Sequence, residues 1–523
     1  MVINEKKILD HLDGVFPKEG YLKTVGNHSR YLLALEAWRR GIKVTFYRDE
    51  KGMCFSLEYG KKKHDFRTSF GDLTSDEAIK ITENKALTKQ YLQEAGLPIA
   101  KGETFDESDS IENIIHYATN LDFPLVIKPV DGIQGRGVVA NIQTIEEFRE
   151  ALVHVREKLG YLDIIVEEHI NGDEMRVFFL ENQVIAAYKK EPAFVIGDGM
   201  DTIENLINIK NQERRENPHL FTYTIKKNNA LIKKIKQSGF TLDSVLDKDL
   251  KLYLRTQSNI SLGGEFIDCT DDLPENIIST AKEVHRVIPN LPHGGIDLIV
   301  NENDEGIILE INHNAGLGTH VFPSKGKPRD LPKLMINYYF PETKDIKRSP
   351  LYFNYKTVLG PIKDRLVQMV VLPQLQTENI YSKKYIVTGK VQKVGYRNWI
   401  RRQALNASLH GYVKNLRNSK VEIVVAGNDP IELDNFKAIC SKGSKRARVK
   451  NVIERSWDKP VPYGFTILDS IDNPDYLKHA LKTEKAKRIK AVKRLKRIEK
   501  KYNSIINSRS WKLLQKIKKL LRK

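Results

Sequence analysis

The stretch at residues 294–316, GGIDLIVNENDEGIILEINHNAG, constrains the fold more than any other part of the 523-residue chain. Two apolar segments flank the polar turn NENDEG, a pattern that predicts a β-hairpin. With the turn centred on its Asn-Asp step, Asp297 lies opposite Glu310, and Asn312 points to the same face. Two carboxylates that face each other on an apolar hairpin are costly unless a cation lies between them.

Two carboxylates and an amide oxygen suit a hard cation such as Mg²⁺, which could bridge the phosphates of ATP. The alternative is an exposed hairpin whose acids are simply solvated. Apolar residues leave little of the hairpin polar and disfavour that alternative: Ile296, Leu298, Ile308, Leu309 and Ile311.

A glycine-rich loop, DGIQGRGV, follows an apolar strand that ends near Lys128. Gly132, Gly135 and Gly137 allow backbone amides to approach an anion closely, and Lys128 supplies positive charge for phosphates. The loop lacks a GK[ST] sequence and a strand follows it, so it is not a P-loop. Taken alone, a hairpin loop without a ligand is an equally good interpretation.

Several blocks together resemble the ATP-grasp ligases, and more closely the subgroup of cyanophycin synthetase and the bifunctional glutathione-synthesising enzymes. The resemblance rests on Lys128 before the glycine-rich loop, on VEEHINGDEMRV and on Asp297 with Glu310-Ile311-Asn312. Three further blocks resemble the subgroup in order: EPAFVIGDGMDTIENLINIKN, LRTQSNISLGGEFIDCTD and EINHNAGLGTHVFPSKGKPRD. The similarity runs from about residue 84 to residue 340.

The resemblance implies a three-part ATP-grasp fold that holds ATP between two α+β subdomains. Such enzymes phosphorylate a carboxylate and then let an amine or thiol displace the phosphate. The roles implied by the matching positions are ATP-phosphate contacts for Lys85 and Lys128 beside Gly132, Gly135 and Gly137; adenine and ribose contacts for Glu167, Glu168 and Glu174; Mg²⁺ or Mn²⁺ ligation for Asp297, Glu310 and Asn312; and charge stabilisation during transfer for Arg176 and Arg255.

Residues 385–427 read as strand, loop, helix, turn, strand, strand, and the full segment 382–468 as a βαββαβ unit. Its loop ends at a helix N-terminus, where backbone amides favour an anion, and the guanidinium of Arg397 can bind a phosphate there. GKVQKVGYR and GYVKN resemble the acylphosphatase motifs GxVQGVxFR and GxVxN, with Lys393 in place of a glycine. The resemblance implies that Arg397 binds the phosphoryl group and Asn415 orients the attacking water. A degenerate domain retained for binding is the alternative.

The net charge of +19 is concentrated at the C-terminus. Residues 478–523 hold 19 Lys and Arg and two acids, so they carry 19 − 2 = +17, and the preceding residues are nearly neutral. Apolar residues at helical spacing among these cations predict a basic helical tail, with a coiled coil as one form. The end of the tail, SWKLLQKIKKLLRK, resembles an interfacial helix on an anionic membrane. With so few aromatic side chains, nucleic acid is a disfavoured partner.

The sequence thus predicts an α+β multidomain chain: an N-terminal α/β subdomain at 1–83, an ATP-grasp domain at 84–341, a connector at 342–381, a ferredoxin-like acylphosphatase domain at 382–468 and a basic helical tail at 469–523. No long apolar run or secretory signal is evident, and the three cysteines form no CxxC pair. These features favour the cytoplasm, with peripheral membrane attachment through the tail.

The predicted activity is ATP- and Mg-dependent joining of an amino-acid or peptide carboxylate to an amine or thiol, with acyl-phosphate hydrolysis in the second domain. Two alternatives stay open: a phosphatase whose front half is a scaffold, and a membrane or polyanion adaptor without catalysis. A homo-oligomer also stays open.

Overall fold

The computed structural model describes residues 28–132, 136–375, 379–416 and 418–468. They form two units, one of residues up to 379 together with 458–463, and one of residues 380–457 together with 464–468. Gly135 and the predicted basic tail at 469–523 lie outside the described residues.

The helices and strands follow one another in an α+β order. The helices are α1 His28–Arg39, α2 Asp76–Glu83, α3 Lys85–Glu94, α4 Ile111–Ala118, α5 Ile145–Val153, α6 Ile203–Glu216, α7 Asn229–Gln237, α8 Glu275–Val287, α9 Gly318–Val321, α10 Leu331–Tyr339, α11 Tyr355–Lys363, α12 Tyr396–Asn406 and α13 Pro430–Lys442. The strands are β1 Lys43–Asp49, β2 Gly52–Tyr59, β3 Lys62–Phe66, β4 Gly102–Phe105, β5 Leu125–Pro129, β6 Val139–Ile142, β7 Ile164–Glu168, β8 Asp173–Leu180, β9 Gln183–Glu191, β10 Phe194–Ile196, β11 Lys251–Tyr253, β12 Glu265–Asp268, β13 His293–Val300, β14 Gly306–Asn312, β15 Leu351–Tyr352, β16 Met369–Val371, β17 Tyr381–Lys390, β18 His410–Asn415, β19 Val421–Gly427, β20 Arg448–Ser456, β21 Val461–Pro462 and β22 Phe465–Leu468.

The first unit begins with helix α1, which is buried along most of its length, and a four-stranded sheet in the order β16-β1-β2-β3. Residues 342–381, predicted as a connector, supply β15, α11 and the edge strand β16. The ring of Phe353 packs edge-on against Tyr31 and Trp38, with centroids 5.3 and 5.4 Å apart. This segment therefore folds back onto the N-terminal sheet through apolar contacts.

Two further sheets of the first unit carry the candidate site. The first has the order β4-β7-β5-β6, and the second the order β12-β9-β8-β13-β14 with antiparallel neighbours throughout. Helix α5 begins as the capping pattern predicts, because the Thr144 side chain accepts a hydrogen bond from the Glu147 amide at 3.2 Å. Helix α3 begins in the same way at Asn84, one residue before Lys85.

The second unit is a five-stranded sheet in the order β20-β17-β19-β18-β22, with α12 and α13 packed on it. Its first four strands and two helices follow the predicted βαββαβ order. The fifth strand, β22, pairs parallel with β18; it lies within the predicted bounds 382–468, but the predicted order has four strands only.

Candidate functional site

One face of the five-stranded sheet carries a line of polar side chains, here called the polar row. Its members are direct cross-strand neighbours: Asp268 pairs with Tyr188, Tyr188 with Arg176, Arg176 with Asp297, and Asp297 with Glu310. Directly opposed residues point to the same face of a sheet. With strands about 4.8 Å apart, the row extends over roughly 19 Å.

The pairing of Asp297 with Glu310 is the one that the hairpin pattern predicts. Next to the turn the register differs, because Val300 pairs with Gly306 and the turn is centred on Asn303. A bulge between Asp297 and Leu298 then shifts the register by one residue. The two carboxylates face each other because of this bulge.

Two cations surround the carboxylate of Asp297. Arg176 donates from Nε to Oδ1 at 2.9 Å and from Nη2 to Oδ2, and the Lys190 ammonium lies 2.8 Å from Oδ1. Burial by itself raises the pKa of Asp297, but Arg176 and Lys190 outweigh it and hold that pKa well below its usual range. Asp297 therefore stays ionised at neutral pH.

The amide of Asn312 converges on both carboxylates. Its Nδ2 donates to Asp297 Oδ2 at 3.1 Å and to Glu310 Oε1 at 2.9 Å. Rotating this amide by half a turn would present its oxygen instead, completing a three-oxygen set of the kind Mg²⁺ prefers. The oxygen atoms of these three residues are therefore ligands of the kind that Mg²⁺ binds. Within the described ranges, no cluster of three or more His, Cys, Asp or Glu side chains is arranged as a metal site.

Lys190 and Ser258 are residues of the site that the sequence reasoning missed. Lys190 contacts Glu174 Oε1 at 2.6 Å as well as Asp297, and the Ser258 hydroxyl donates to Glu174. Glu174, assigned to adenine or ribose by resemblance, thus lies among the groups around Asp297. The two-residue period of a strand could have predicted Lys190, because it lies two residues after Tyr188 on β9 and therefore points to the same face.

A second group of cations comes from helix α3 and from strand β5 of the four-stranded sheet. Lys85 Nζ donates to the carbonyl oxygen of Gly132 at 2.6 Å, which places it at the glycine-rich loop. Lys128 forms an ion pair with Glu167, and Lys89 contacts the same carboxylate at 3.3 Å. Lys89 was also missed, although it follows Lys85 by one helical turn. The structure thus places Lys85 at the loop and Lys128 beside Glu167.

The glycine at position 137 is required by its surroundings. Its φ is +79°, and a Cβ there would lie 2.7 Å from Pro129 Cγ and 2.9 Å from the ring of Tyr161. Glu167 and Glu168 are adjacent in β7, so they point to opposite faces. Glu168 forms an ion pair with Lys101 at 3.1 Å, away from the lysines that contact Glu167.

Arg255 makes its contacts elsewhere in the first unit. Its Nη2 donates to the carbonyl oxygen of Lys226 at 3.2 Å and to Asn228 Oδ1 at 2.8 Å. Its Nε is buried without a hydrogen-bond partner among the described residues, and burial lowers its pKa. Arg255 thus has its Nε left for a ligand, but its described partners do not include the polar row.

The predicted phosphate loop of the second unit has two residues in the left-handed conformation. Lys393, which replaces a glycine of the motif, has a φ of +60°, and Gly395 has +78° at the start of α12. A left-handed conformation costs a lysine roughly 1 kcal/mol. Arg397 follows in the first turn of the helix. Asn415 Oδ1 is buried with no partner in the part of the chain that the structure describes. An unpaired buried acceptor is what a residue that positions water offers.

Comparison with known proteins identifies both parts. Residues 82–194 match the RimK-like ATP-grasp domain, and residues 383–467 match acylphosphatase. The chain contains an ATP-grasp domain and an acylphosphatase domain. Both resemblances proposed from the sequence are thereby confirmed. ATP-grasp ligases in general use ATP and Mg²⁺.

Named relatives cover parts of the chain. Cyanophycin synthetase of Synechocystis is 35% identical over 294 residues, which make up 54% of this chain and 33% of the relative. The glutathione biosynthesis bifunctional protein of Enterococcus faecalis is 30% identical over 331 residues, 60% of this chain and 42% of that protein. An acylphosphatase structure from Coxiella burnetii is 29% identical and covers 17% of this chain and 94% of its own, with a TM-score of 0.17. The match therefore spans less than half the length of each of these two relatives.

None of the helices described by the structure is both long and apolar enough to span a bilayer. Cys54, Cys269 and Cys440 are free.

Proposed function

We propose that the first unit is an ATP- and Mg²⁺-dependent ligase that joins the carboxylate of an amino acid or peptide to an amine or thiol through an acyl phosphate. The observation that carries the proposal is the polar row, in which paired carboxylates lie directly beside Arg176. Glu174, Asp297 and Glu310 bring three negative charges against the two positive charges of Arg176 and Lys190. This balance leaves the site anionic and suited to a divalent cation.

In the proposed reaction, a carboxylate oxygen of the acid attacks the γ-phosphorus of ATP, and ADP leaves. The amine or thiol then attacks the acyl carbon, inorganic phosphate leaves, and the nucleophile loses its proton. Mg²⁺ bound at Asp297, Glu310 and Asn312 would neutralise phosphate charge. Arg176 is placed next to this position and would stabilise the oxygens that gain charge during transfer.

Lys85, Lys128 and Lys89 would hold the phosphates of ATP near the glycine-rich loop. The ion pair of Lys128 with Glu167 supports this role, because it keeps the ammonium ordered on its strand. The amino-acid or peptide nature of the substrate is taken from the relatives, which are named for the synthesis of cyanophycin and of glutathione.

The test is a screen for ADP release with ATP, Mg²⁺, single amino acids or dipeptides, and hydroxylamine, an amine that captures acyl phosphates as hydroxamates. We expect at least one acid to give hydroxamate. In Glu310→Gln, the rate of hydroxamate formation should fall at least 100-fold. Arg397→Ala should retain it, because Arg397 belongs to the other domain. Loss in Arg397→Ala with retention in Glu310→Gln would instead favour the phosphatase alternative.

We also propose that the acylphosphatase domain hydrolyses acyl phosphates, with Arg397 on the phosphoryl oxygens and Asn415 on the attacking water. The unpartnered Oδ1 of Asn415 supports this role. Benzoyl phosphate is a suitable probe, and Arg397→Ala and Asn415→Ala should each reduce its hydrolysis at least 100-fold. Arg402→Ala, an exposed arginine on the same helix, is the matched control. Absence of both hydrolysis and ADP release in the wild type would favour the adaptor.

A further inference from the structure

His320 is a buried histidine whose ring nitrogens have no partner in the structure. Its side chain is only 3% exposed, and neither Nδ1 nor Nε2 makes a hydrogen bond within the described ranges. A neutral imidazole carries one N–H donor and one acceptor nitrogen, so both capacities are unused. Buried polar groups in native proteins are almost always paired, which makes this ring exceptional.

The ring lies on the functional face of the five-stranded sheet. Its centroid is 4.6 Å from that of Tyr188, a member of the polar row, and 5.7 Å from that of Phe178. Phe178 is two residues from Arg176 on β8 and shares its face. His320 therefore packs above the sheet next to Arg176.

The segment that carries His320 crosses this face from one end of the polar row to the other. It leaves β14 directly after Asn312, and Asn314 Oδ1 accepts a hydrogen bond from the Ser69 hydroxyl at 3.0 Å. At its far end, Arg329 donates to both oxygens of Asp268 at 2.9 and 2.7 Å. Protein contacts therefore hold this segment on both sides of His320.

The order of the row indicates which ligand His320 would meet. The proposed metal ligands Glu310 and Asp297 come first, Arg176 next, and Tyr188 with His320 beyond it. The nucleotide phosphates would lie with the metal, so the group on the far side of Arg176 is the one that receives the phosphoryl group. Burial lowers the pKa of His320 to about 3, with Arg176 adding to the effect, so the ring is neutral at physiological pH.

We propose that His320 is a specificity-determining residue that binds the acid substrate, its ring N–H donating a hydrogen bond to the substrate carboxylate beside Arg176. The assignment rests on the proposed ligase function. The second ring nitrogen is an acceptor and matches an acid that also carries an N–H donor, as amino acids and peptides do.

The test compares His320→Phe with His320→Gln in the full chain, using hydroxamate formation from the best amino acid or dipeptide of the screen. Phenylalanine keeps ring packing against Tyr188 and removes both nitrogens. We expect it to raise the KM for the acid about tenfold while the KM for ATP stays within twofold. Glutamine retains a donor and an acceptor and should remain within threefold of the wild type.

A second readout separates binding from a purely structural role. If the nitrogens are unpaired in the free protein, His320→Phe should leave Tm unchanged or raise it, because an unsatisfied buried group is removed. His293→Gln is the matched control: His293 is also buried, but its Nε2 is hydrogen-bonded to the Tyr339 hydroxyl at 3.0 Å. This variant should lower Tm and leave the KM for the acid unchanged.

An unchanged KM for the acid in His320→Phe, with hydroxamate still formed, would overturn the assignment and leave the ligase proposal intact. Unfolding of both His320 variants would assign the residue to the core. Absence of hydroxamate with every acid tested would overturn the ligase proposal and this assignment together.

Discussion

At the scale of single residues, Asp297 serves as the counter-ion of two cations as well as a proposed metal ligand. Asp297→Asn leaves Arg176 and Lys190 together without their shared carboxylate in a site where Asp297 is 7% exposed. Breaking a buried pair in this way lowers the free energy of unfolding by about 3 kcal/mol. Glu310 contacts only the Asn312 amide among its described hydrogen-bond partners, so Glu310→Gln should cost less than about 1 kcal/mol.

We therefore expect both variants to lose Mg²⁺-dependent turnover but only Asp297→Asn to lose substantial stability. Urea unfolding of the full-length protein, followed by circular dichroism, measures the difference in stability between the two variants. Equal loss of stability in the two variants would contradict the counter-ion role. A turnover rate near the wild-type value in both would contradict the metal site.

The buried histidines predict how stability depends on pH. Burial lowers the pKa of His293 to about 4, from an ordinary value near 6.5. The unfolded chain therefore binds a proton more readily than the folded protein between these values. Stability is at its full value above pH 6.5 and falls as the pH drops from 6.5 to 4, by about 3 kcal/mol for this residue. Unfolding measured at pH 7.5 and pH 4.5 should show a smaller difference in His293→Gln than in the wild type.

At the scale of elements, the segment that follows β14 packs closely on the sheet because β13 has a glycine at position 295. A Cβ at Gly295 would lie 2.8 Å from Ala315 Cβ and 3.4 Å from Arg176 Cδ. Gly295→Ala should therefore displace Ala315, and with it the segment that carries His320, and reduce hydroxamate formation at least tenfold. Gly306→Ala is the control, because its Cβ would meet only the end of the Ile277 side chain, at 2.5 Å, and Leu298 at 3.6 Å. If Gly295→Ala and Gly306→Ala lower Tm by the same amount and also lose the same activity, the prediction is contradicted.

The sequence could predict contacts that lie within one hairpin or one helical turn. The facing of Asp297 and Glu310 follows from the period of two residues, although the pattern alone does not reveal the bulge that sets the final register. The contact between Arg176 and Asp297 joins strands 121 residues apart and depends on the order of strands in the sheet. No local pattern specifies that order, so Arg176 was assigned by resemblance and Lys190 was missed.

The same limit applies to the segments that fold back over long distances. Residues 342–381 have weak patterning, yet β16 pairs with β1, and Phe353 packs on Trp38. The packing energy comes from contacts more than 300 residues apart in the chain, which hydrophobic periodicity does not encode. In contrast, the phosphate loop of the second domain is local, and its helix begins at Tyr396, directly after the loop, as the strand–loop–helix pattern predicts.

At the scale of the whole molecule, the basic segment at 469–523 lies outside the described residues, and its role stays a prediction from the sequence. Its charge and apolar spacing predict binding to an anionic membrane. Full-length protein should co-sediment with vesicles that contain phosphatidylserine at 20 mM salt, and deletion of 502–523 should release it. Because charge is screened with a Debye length of about 8 Å near 0.15 M, binding should weaken at higher salt. Full-length protein that stays in the supernatant at low salt would contradict the prediction.

The presence of two domains on one chain leads to a final prediction about their chemistry. The proposed ligase makes an acyl phosphate, and an acylphosphatase would hydrolyse one. Covalent linkage raises the effective concentration of the second site near the first. We therefore expect the acylphosphatase domain to hydrolyse acyl phosphate that leaves the ligase when the acceptor is absent or wrong.

The experiment supplies the acid and ATP without an acceptor amine and follows inorganic phosphate. Wild-type protein should release phosphate several-fold faster than Arg397→Ala, because Arg397 would hold the phosphoryl group for the water placed by Asn415. With the acceptor present, both proteins should form the amide at the same rate, since Arg397 lies outside the ligase domain. Equal phosphate release by both proteins, together with no hydrolysis of benzoyl phosphate by the wild type, would limit the second domain to a binding or structural role.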